Sequence, residues 1–225
     1  DVERGQLEGM VFSYELFDAL PVHRLIGLGE GRVGEMLVGV DPDGSFAWSE
    51  EEISDSGLAD LFADECELLE PGQIADLSPQ WRPLYRQMAE KLGRGFLVTC
   101  DYGFRRRQLL DRRVRFHGTL ACYRQQRVHR NPLLDVGEQD LTAHVDFTVL
   151  MEEGEAQGLE TVALTRQAAW LTSSGIFEGL AEADQSERLE AITLLDPAAM
   201  GGEIRVLVQA RDLNVGEVLD TSYLL

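Results

Sequence analysis

The sequence predicts an α/β fold, and three observations carry that prediction. Two apolar runs, Met10-Val11-Phe12-Ser13-Tyr14-Glu15 and Phe96-Leu97-Val98-Thr99-Cys100-Asp101, each end on an acid. Short apolar runs of this kind mark strands buried on both faces of a parallel sheet. A helix signal, Ser78-Pro79 followed by an apolar stripe of Trp81, Leu84, Tyr85, Met88 and Leu92, leads through a short loop into the second run. Helix, loop and strand together make half of a crossover unit. Beyond residue 115, further strand and helix patterns follow. In open α/β sheets ligands lie just beyond the carboxyl ends of parallel strands, so Glu15 and Asp101 are expected to face a ligand crevice.

The elements follow in order. The first strand, residues 9–15, begins almost at residue 1, which predicts that the chain is the rear part of a larger protein. Leu16-Phe17-Asp18-Ala19-Leu20-Pro21 comes next, and Pro21 stops any helical turn there. Residues 22–48 alternate as a hairpin or meander, with Asp41-Pro42-Asp43-Gly44 as its turn. Residues 49–77 read as acidic and irregular, with one short helix near 58–62. The helix after Ser78-Pro79 is expected to end at Gly93 and Gly95, before the strand 96–101. Residues 119–123, 145–150, 161–164 and 204–210 read as strands. The alternation in the last of them predicts a half-exposed antiparallel strand. Residues 165–174 and 184–195 read as helices, the second with Leu189, Ile192 and Leu195 on one face.

Composition narrows the function classes. The 225 residues hold 40 acids against 20 Lys and Arg, a net charge of −20. Such a charge disfavours nucleic acid and anionic membranes and favours cationic partners. No apolar run approaches the ~20 residues that a membrane-spanning helix needs. The three cysteines, Cys66, Cys100 and Cys122, are odd in number and widely spaced, which fits reduced thiols in a cytosol-like compartment. Residues 50–70 hold nine acids and no basic residue; residues 105–130 hold nine arginines and one acid, Asp111. The arginine stretch lacks the interleaved aromatics of a single-strand binding platform, and reads as a solvated or neutralising segment.

Most short motifs are eliminated on their flanks. Gly27-Leu28-Gly29-Glu30-Gly31 lacks the preceding strand and following helix of a phosphate-binding loop, and Glu30 would repel phosphate, so a flexible hairpin is expected. The four histidines, His23, His117, His129 and His144, have no metal-ligand spacing, and no metal site is expected. No Gly-x-Ser-x-Gly elbow is present. The stronger candidates are Glu15, Asp18 and Asp101, acids at or near strand ends that could accept hydrogen bonds from a cofactor or cationic substrate, or could cap the following turn. Thr142, His144 and Asp146 share an expected strand and, by period two, one face of it, which is either a wet sheet face or a site wall.

Five ordered blocks carry a family resemblance. Tyr14-Glu15-Leu16-Phe17-Asp18-Ala19-Leu20-Pro21-Val22 resembles the Asn-Glu-Leu-Leu-Asp-Ala-Leu-Pro-Val segment of the MidA-like methyltransferases, the family of the mitochondrial complex I assembly methyltransferase. Gly95-Phe96…Asp101-Tyr102-Gly103, Gly118-Thr119-Leu120-Ala121-Cys122-Tyr123, residues 137–147 and Met200-Gly201-Gly202-Glu203-Ile204 fall in the same order. The resemblance covers essentially the whole chain. It implies a class I S-adenosylmethionine-dependent methyltransferase with a Rossmann-like sheet, of which this chain holds strand four onward. Residues 1–21 and 78–225 would form that part, and 22–77 an inserted hairpin and helical segment. The family's glycine-rich cofactor loop lies upstream of the first block.

By the same resemblance, Glu15, Asp18 and His144 are the expected catalytic residues and Tyr14 and Glu15 the expected cofactor contacts. Asp101, Tyr102, Thr142 and Asp146 would shape the substrate pocket. S-adenosylmethionine is the implied cofactor and a protein arginine the implied methyl acceptor, and a homodimer remains open. A bacterial cytoplasm is the simplest compartment and a mitochondrial matrix the alternative. A non-catalytic assembly or docking factor that keeps the fold is the competing reading. Three positions depart from the family pattern: Tyr14 stands where Asn is usual, Gln126 where His is common, and Val136 where Pro is common.

Overall fold

The computed structural model describes residues 3–53 and 56–218. The outermost residues of both expected segments, and part of the acidic stretch at 54–55, lie outside the described residues. The chain divides into two compact units: Asp1–Leu16, Arg82–Gly103 and Phe147–Leu225 form the first, Phe17–Trp81 and Phe104–Asp146 the second. The expected insertion, 22–77, falls within the second unit, which also takes in Phe104–Asp146.

The strands in chain order are β1 (Leu7–Tyr14), β2 (His23–Gly29), β3 (Arg32–Val40), β4 (Phe46–Glu52), β5 (Ile74–Leu77), β6 (Leu92–Phe104), β7 (Ala121–Arg124), β8 (Arg127–His129), β9 (Asp140–Thr142), β10 (Val145–Asp146), β11 (Glu160–Arg166) and β12 (Ile204–Arg211). In the first unit a mixed sheet runs β1-β6-β12-β11. β1 and β6 are parallel, with Tyr14 beside Cys100, so the two acid-terminated runs are neighbours that end side by side. β12 is antiparallel to both β6 and β11. This is the Rossmann-like α/β class that the sequence predicts, but the expectation that both runs are buried on both faces is corrected for β1: it ends the strand order of this sheet among the described residues, and Met10 and Phe12 are 54% and 57% exposed.

β6 and β12 lie inside the sheet, and their buried residues pack as Val98, Cys100, Ile204, Val206 and Val208, with Phe96, Trp170 and Met200 against them. The expectation of a half-exposed β12 is therefore corrected. Its alternating polar residue, Gln209, is buried and satisfied: Tyr85 Oη donates to its Oε1 at 2.8 Å, and its Nε2 donates to Met151 O at 3.1 Å and Thr161 Oγ1 at 2.8 Å. A buried amide that meets its partners sits in a core without the penalty of an unpaired polar group. At the strand's ends, Arg205 and Arg211 donate to backbone carbonyls.

Other elements differ from expectation for identifiable reasons. Residues 145–150 form a strand only at β10; a helix, Phe147–Ala156, starts at once and buries Phe147, Leu150 and Gly154 on one side. A six-residue apolar run is too short for its period to separate strand from helix. Gly93 and Gly95 lie inside β6, because the helix stops at Lys91 and the strand begins directly at Leu92. The expected helix over 184–195 forms as Gln185–Leu195, with Asp184 and Glu187 forming a reciprocal capping box. Its buried side is Ala191, however, while Leu189 and Ile192 are both 59% exposed. Residues 49–77 are more regular than expected, holding the end of β4, two short helices and β5.

In the second unit an antiparallel sheet runs β4-β3-β2-β5, and a small antiparallel sheet runs β8-β7-β9. The glycine run is the expected hairpin: Gly29, Glu30 and Gly31 all have positive φ at the β2–β3 turn. Gly27 lies so close to the 69–70 backbone that an added Cβ would sit 2.3 Å from Glu70 O.

In the first unit, Arg86 donates side-on to Glu153 through one guanidinium edge, Nε to Oε1 at 2.7 Å and Nη2 to Oε2 at 3.2 Å. The hydrogen bond from Arg86 holds the Glu153 carboxyl below its ordinary value, against the opposing effect of burial. A carboxylate depressed in this way adds stability that is present above its unfolded pKa, about 4.3, and is lost as pH falls through the lower folded value. Urea denaturation of Glu153→Gln should show a lower midpoint than the parent at pH 7 and a difference that closes towards pH 3. A difference independent of pH would refute the assignment.

Candidate active site

The carboxyl ends of β1 and β6 build the first part of the site. Ser13 Oγ and Thr99 Oγ1, buried between the two strands, lie 3.2 Å apart. Beyond them Glu15 N donates to Cys100 O at 3.0 Å, which extends the parallel pairing by one step. Glu15 then takes φ 47°, a left-handed conformation that is uncommon outside glycine and recurs at functional turns. What holds this turn is Asp101. Its Oδ2 accepts from Leu16 N at 3.2 Å and its Oδ1 from Tyr102 N at 2.9 Å, and the residue is wholly buried.

The two acids thus differ in kind. Asp101, expected to line a substrate pocket, holds the backbone on both sides through charge-assisted bonds. Glu15 is exposed at the end of β1. Tyr14, the departure from the family's Asn, donates its hydroxyl to Gln167 Oε1 at 3.0 Å and stays partly exposed. Burial, helped by the negative charge of Glu15, raises the pKa of its phenol. Tyr102 continues β6 and packs against the sheet core.

The second unit holds the other candidates. Phe17 O accepts from Trp81 Nε1 at 3.0 Å, and Asp18 O accepts from Ala143 N at 2.9 Å, which pins the segment that follows β1 in sequence. Asp18 is 4% exposed and lines a cavity of about 780 Å³ together with Thr142, Ala143 and Gln139. His144 N donates to Thr119 Oγ1 at 3.1 Å, and its ring lies 5.5 Å from that of Phe104. Asp146 is buried and paired with Arg106 Nε at 3.2 Å; Arg106 also meets Glu65 at 2.8 Å and Asp64 at 3.0 Å. A half-buried guanidinium held by three carboxylates ties these segments of the second unit together.

The expected single strand through Thr142, His144 and Asp146 is corrected: β9 ends at Thr142 and β10 begins at Val145. The break falls where the Ala143 and His144 amides turn to Asp18 O and Thr119 Oγ1, so the three side chains do not form one period-two row. Tyr14, Glu15, Asp101 and Tyr102 gather at one strand end, while Asp18 and Thr142 share the cavity.

Sequence reasoning missed the cavity's other walls, Val38, Phe46 and Trp48 of the hairpin. Their signal was present as apolar residues two apart on a strand, but that pattern does not distinguish a trough from a core. It also missed Asp76, which is buried and accepts from Thr119 N at 2.6 Å and Leu120 N at 2.8 Å. Burial raises the pKa of this carboxyl, and Arg24 and those two amides oppose the shift. A Cβ on Gly118 would lie 2.2 Å from Asp76 Oδ2, which accounts for the glycine that opens that sequence block.

The residues at the end of β1 suit an S-adenosyl-L-methionine cofactor in chemistry. Glu15 offers an exposed carboxylate to hydroxyl or ammonium groups, and Tyr14 offers a partly exposed ring whose hydroxyl is already engaged. Among the described residues no cluster of His, Cys, Asp or Glu is arranged to hold a metal ion, and no helix is long and apolar enough to cross a membrane.

Comparison with known proteins agrees with this fold. A family described as "Putative S-adenosyl-L-methionine-dependent methyltransferase" matches residues 1–165. The Drosophila melanogaster protein named "Protein arginine methyltransferase NDUFAF7 homolog, mitochondrial" is 29% identical over 167 residues, which cover 70% of this chain and 34% of that protein. A crystal structure from Burkholderia thailandensis, titled a "likely methyl transferase" bound to S-adenosyl-homocysteine, superposes with a TM-score of 0.81 at 28% identity, over 94% of this chain and 55% of that one. A second structure from Burkholderia thailandensis, of an uncharacterized protein of the same superfamily, gives 0.79 at 29% identity, over 91% and 56%. The chain spans about a third of the length of the fly relative and just over half of each of the two solved structures. The match over most of its length places the chain in the S-adenosyl-L-methionine-dependent methyltransferase family.

Proposed function

We propose that the chain serves S-adenosyl-L-methionine-dependent methylation of an arginine side chain on a protein. The observation that carries the reading is Glu15: an exposed carboxylate at the end of a parallel strand, in a left-handed turn fixed by Asp101. The bound cofactor would supply an electrophilic methyl group on a sulfonium. The chain's own part is to position the acceptor and to take a proton.

A guanidinium is protonated in water and presents a planar fork of N–H donors. A carboxylate accepts two of them side by side, which fixes the nitrogen's orientation for in-line displacement. As the new N–C bond forms, the nitrogen sheds its proton to a base, and Glu15 is the candidate for both tasks. Asp18 and His144 are further candidates from the resemblance, each to be tested on its own. The fly relative's name and the chain's −20 charge both support a cationic acceptor.

The test is to incubate the full-length gene product with methyl-labelled cofactor and arginine-bearing peptides, and to analyse the hydrolysed product. Labelled methylarginine is expected. Label on another residue type would overturn the acceptor, and no transfer with intact cofactor binding would overturn the activity. One observation favours a non-catalytic docking factor instead: a phenol engaged with Gln167 stands where the family's amide usually does. That reading predicts neither cofactor binding nor transfer.

A further inference from the structure

The cavity of the second unit has an unusual lining. Val38, Phe46 and Trp48 on β3 and β4 form one wall, with Val136 and Leu141 from the 132–141 segment, and all five are exposed. Its volume of about 780 Å³ lies inside the range of about 300–1,000 Å³ typical of ligand pockets. Contiguous exposed apolar walls of this kind mark a binding surface more often than bare surface.

The polar groups set into these walls select for charge. Asp18, Glu35 and Asp140 supply three carboxylates, of which Glu35 already meets His23 Nδ1 at 2.5 Å, against a single guanidinium, Arg24. Arg24 is already engaged: its Nη2 donates to His117 O at 2.9 Å, its Nε lies 3.7 Å from Asp76 Oδ1, and its guanidinium stacks 5.2 Å over Trp48. Beyond Trp48, β4 continues into the exposed acids Glu50 and Glu51. Gln139 adds a second, independent feature. Its Nε2 donates to Pro132 O at 3.0 Å, which fixes the amide's orientation, and its Oε1 is buried with no hydrogen-bond partner among the described residues. A buried acceptor left unpaired is costly unless an incoming donor meets it.

We infer that this trough docks an apolar polypeptide segment of another protein that carries a basic side chain. The apolar residues lie against Phe46, Trp48 and Val136, and the basic group meets the carboxylates and Gln139 Oε1. An anionic lipid or nucleic acid meets like charge here, and a purely apolar ligand leaves Gln139 Oε1 without a donor. The inference deepens the proposed function by giving the arginine-bearing protein substrate a docking site.

The test uses a synthetic peptide array with a central arginine flanked by varied apolar residues, and a matched array with the neutral isostere citrulline. Binding to the purified protein is read by fluorescence anisotropy with no methyl donor present. Arginine peptides should bind at least tenfold more tightly than their citrulline partners. Trp48→Ala and Val136→Lys should each lose tenfold or more, and Leu189→Ala, in the first unit, should lose nothing. Circular dichroism checks that each variant is folded, and Val136→Lys, on an exposed loop, keeps the test valid if Trp48→Ala is not. No binding by any peptide, or equal binding by both arrays, overturns the inference. So does a self-association in sedimentation that Trp48→Ala abolishes, since a second copy would then be the occupant. Peptides that bind but are never methylated leave the trough standing and count against the methyl-transfer reading alone.

Discussion

Gly95→Ala is expected to be the most destabilising single-methyl addition in the first unit. Gly95 sits in β6 with φ 135°, paired in register with Gly9 in β1, which has φ 137°. A Cβ built on Gly95 would lie 1.8 Å from Gly9 O, and backbone carbonyls cannot swing aside as a side chain can. Two effects add: an L-residue forced to positive φ, roughly 1–2 kcal/mol, and overpacking that must shift a strand, roughly 1–3 kcal/mol. A total of about 4 kcal/mol is a large share of the 5–15 kcal/mol that keeps a typical domain folded, and corresponds to a melting point lower by about 8–16 °C. Gly9→Ala provides the internal control. It has the same backbone conformation but nothing within 4 Å of its added Cβ, so it carries the strain without the clash. Thermal denaturation of both variants should show Gly95→Ala several degrees below Gly9→Ala. Equal melting points would mean that the strands slide apart freely and that the close approach is not needed.

This pair of glycines also shows how much of the molecule was legible. The existence of the two strands was, and their neighbouring parallel ends put Glu15 and Asp101 together as expected, but the burial of β1 was not: its apolar residues Met10 and Phe12 are exposed. The hairpin was legible from its turn residues, whereas the capping box that starts the helix at Gln185 was not read. What a single chain does not print is which faces become covered. β12 looked half-exposed because Gln209 interrupts its apolar pattern, and only the positions of Tyr85 and Thr161 reveal that amide as a core residue. The same limit governs the site. Asp101 and Glu15 are equivalent letters at equivalent positions, and hydrogen bonding to the backbone makes one a brace and leaves the other exposed. His144 and Asp146 lost their shared face where the Ala143 and His144 amides turn to Asp18 O and Thr119 Oγ1, partners distant in sequence that periodicity does not register.

Glu15→Gln should lower methyl transfer by the full-length gene product on the order of 10²–10⁴-fold without unfolding it. The fold should survive because the side chain is exposed, and what shapes the turn is the backbone bond to Cys100 O together with the Asp101 brace. Glutamine keeps the size and one acceptor oxygen but loses the negative charge, so it no longer balances a guanidinium and no longer accepts its proton. The kinetic signature separates the two roles open to Glu15. A fall in kcat with unchanged cofactor affinity means that the carboxylate acts on the acceptor as the bond forms. Lost cofactor affinity with kcat preserved at saturation means that it holds the cofactor and that another group, with Asp18 the next to be tested, takes the proton. Full activity in the variant would remove Glu15 from the mechanism, and the strained turn at the end of β1 would then stand as a structural joint.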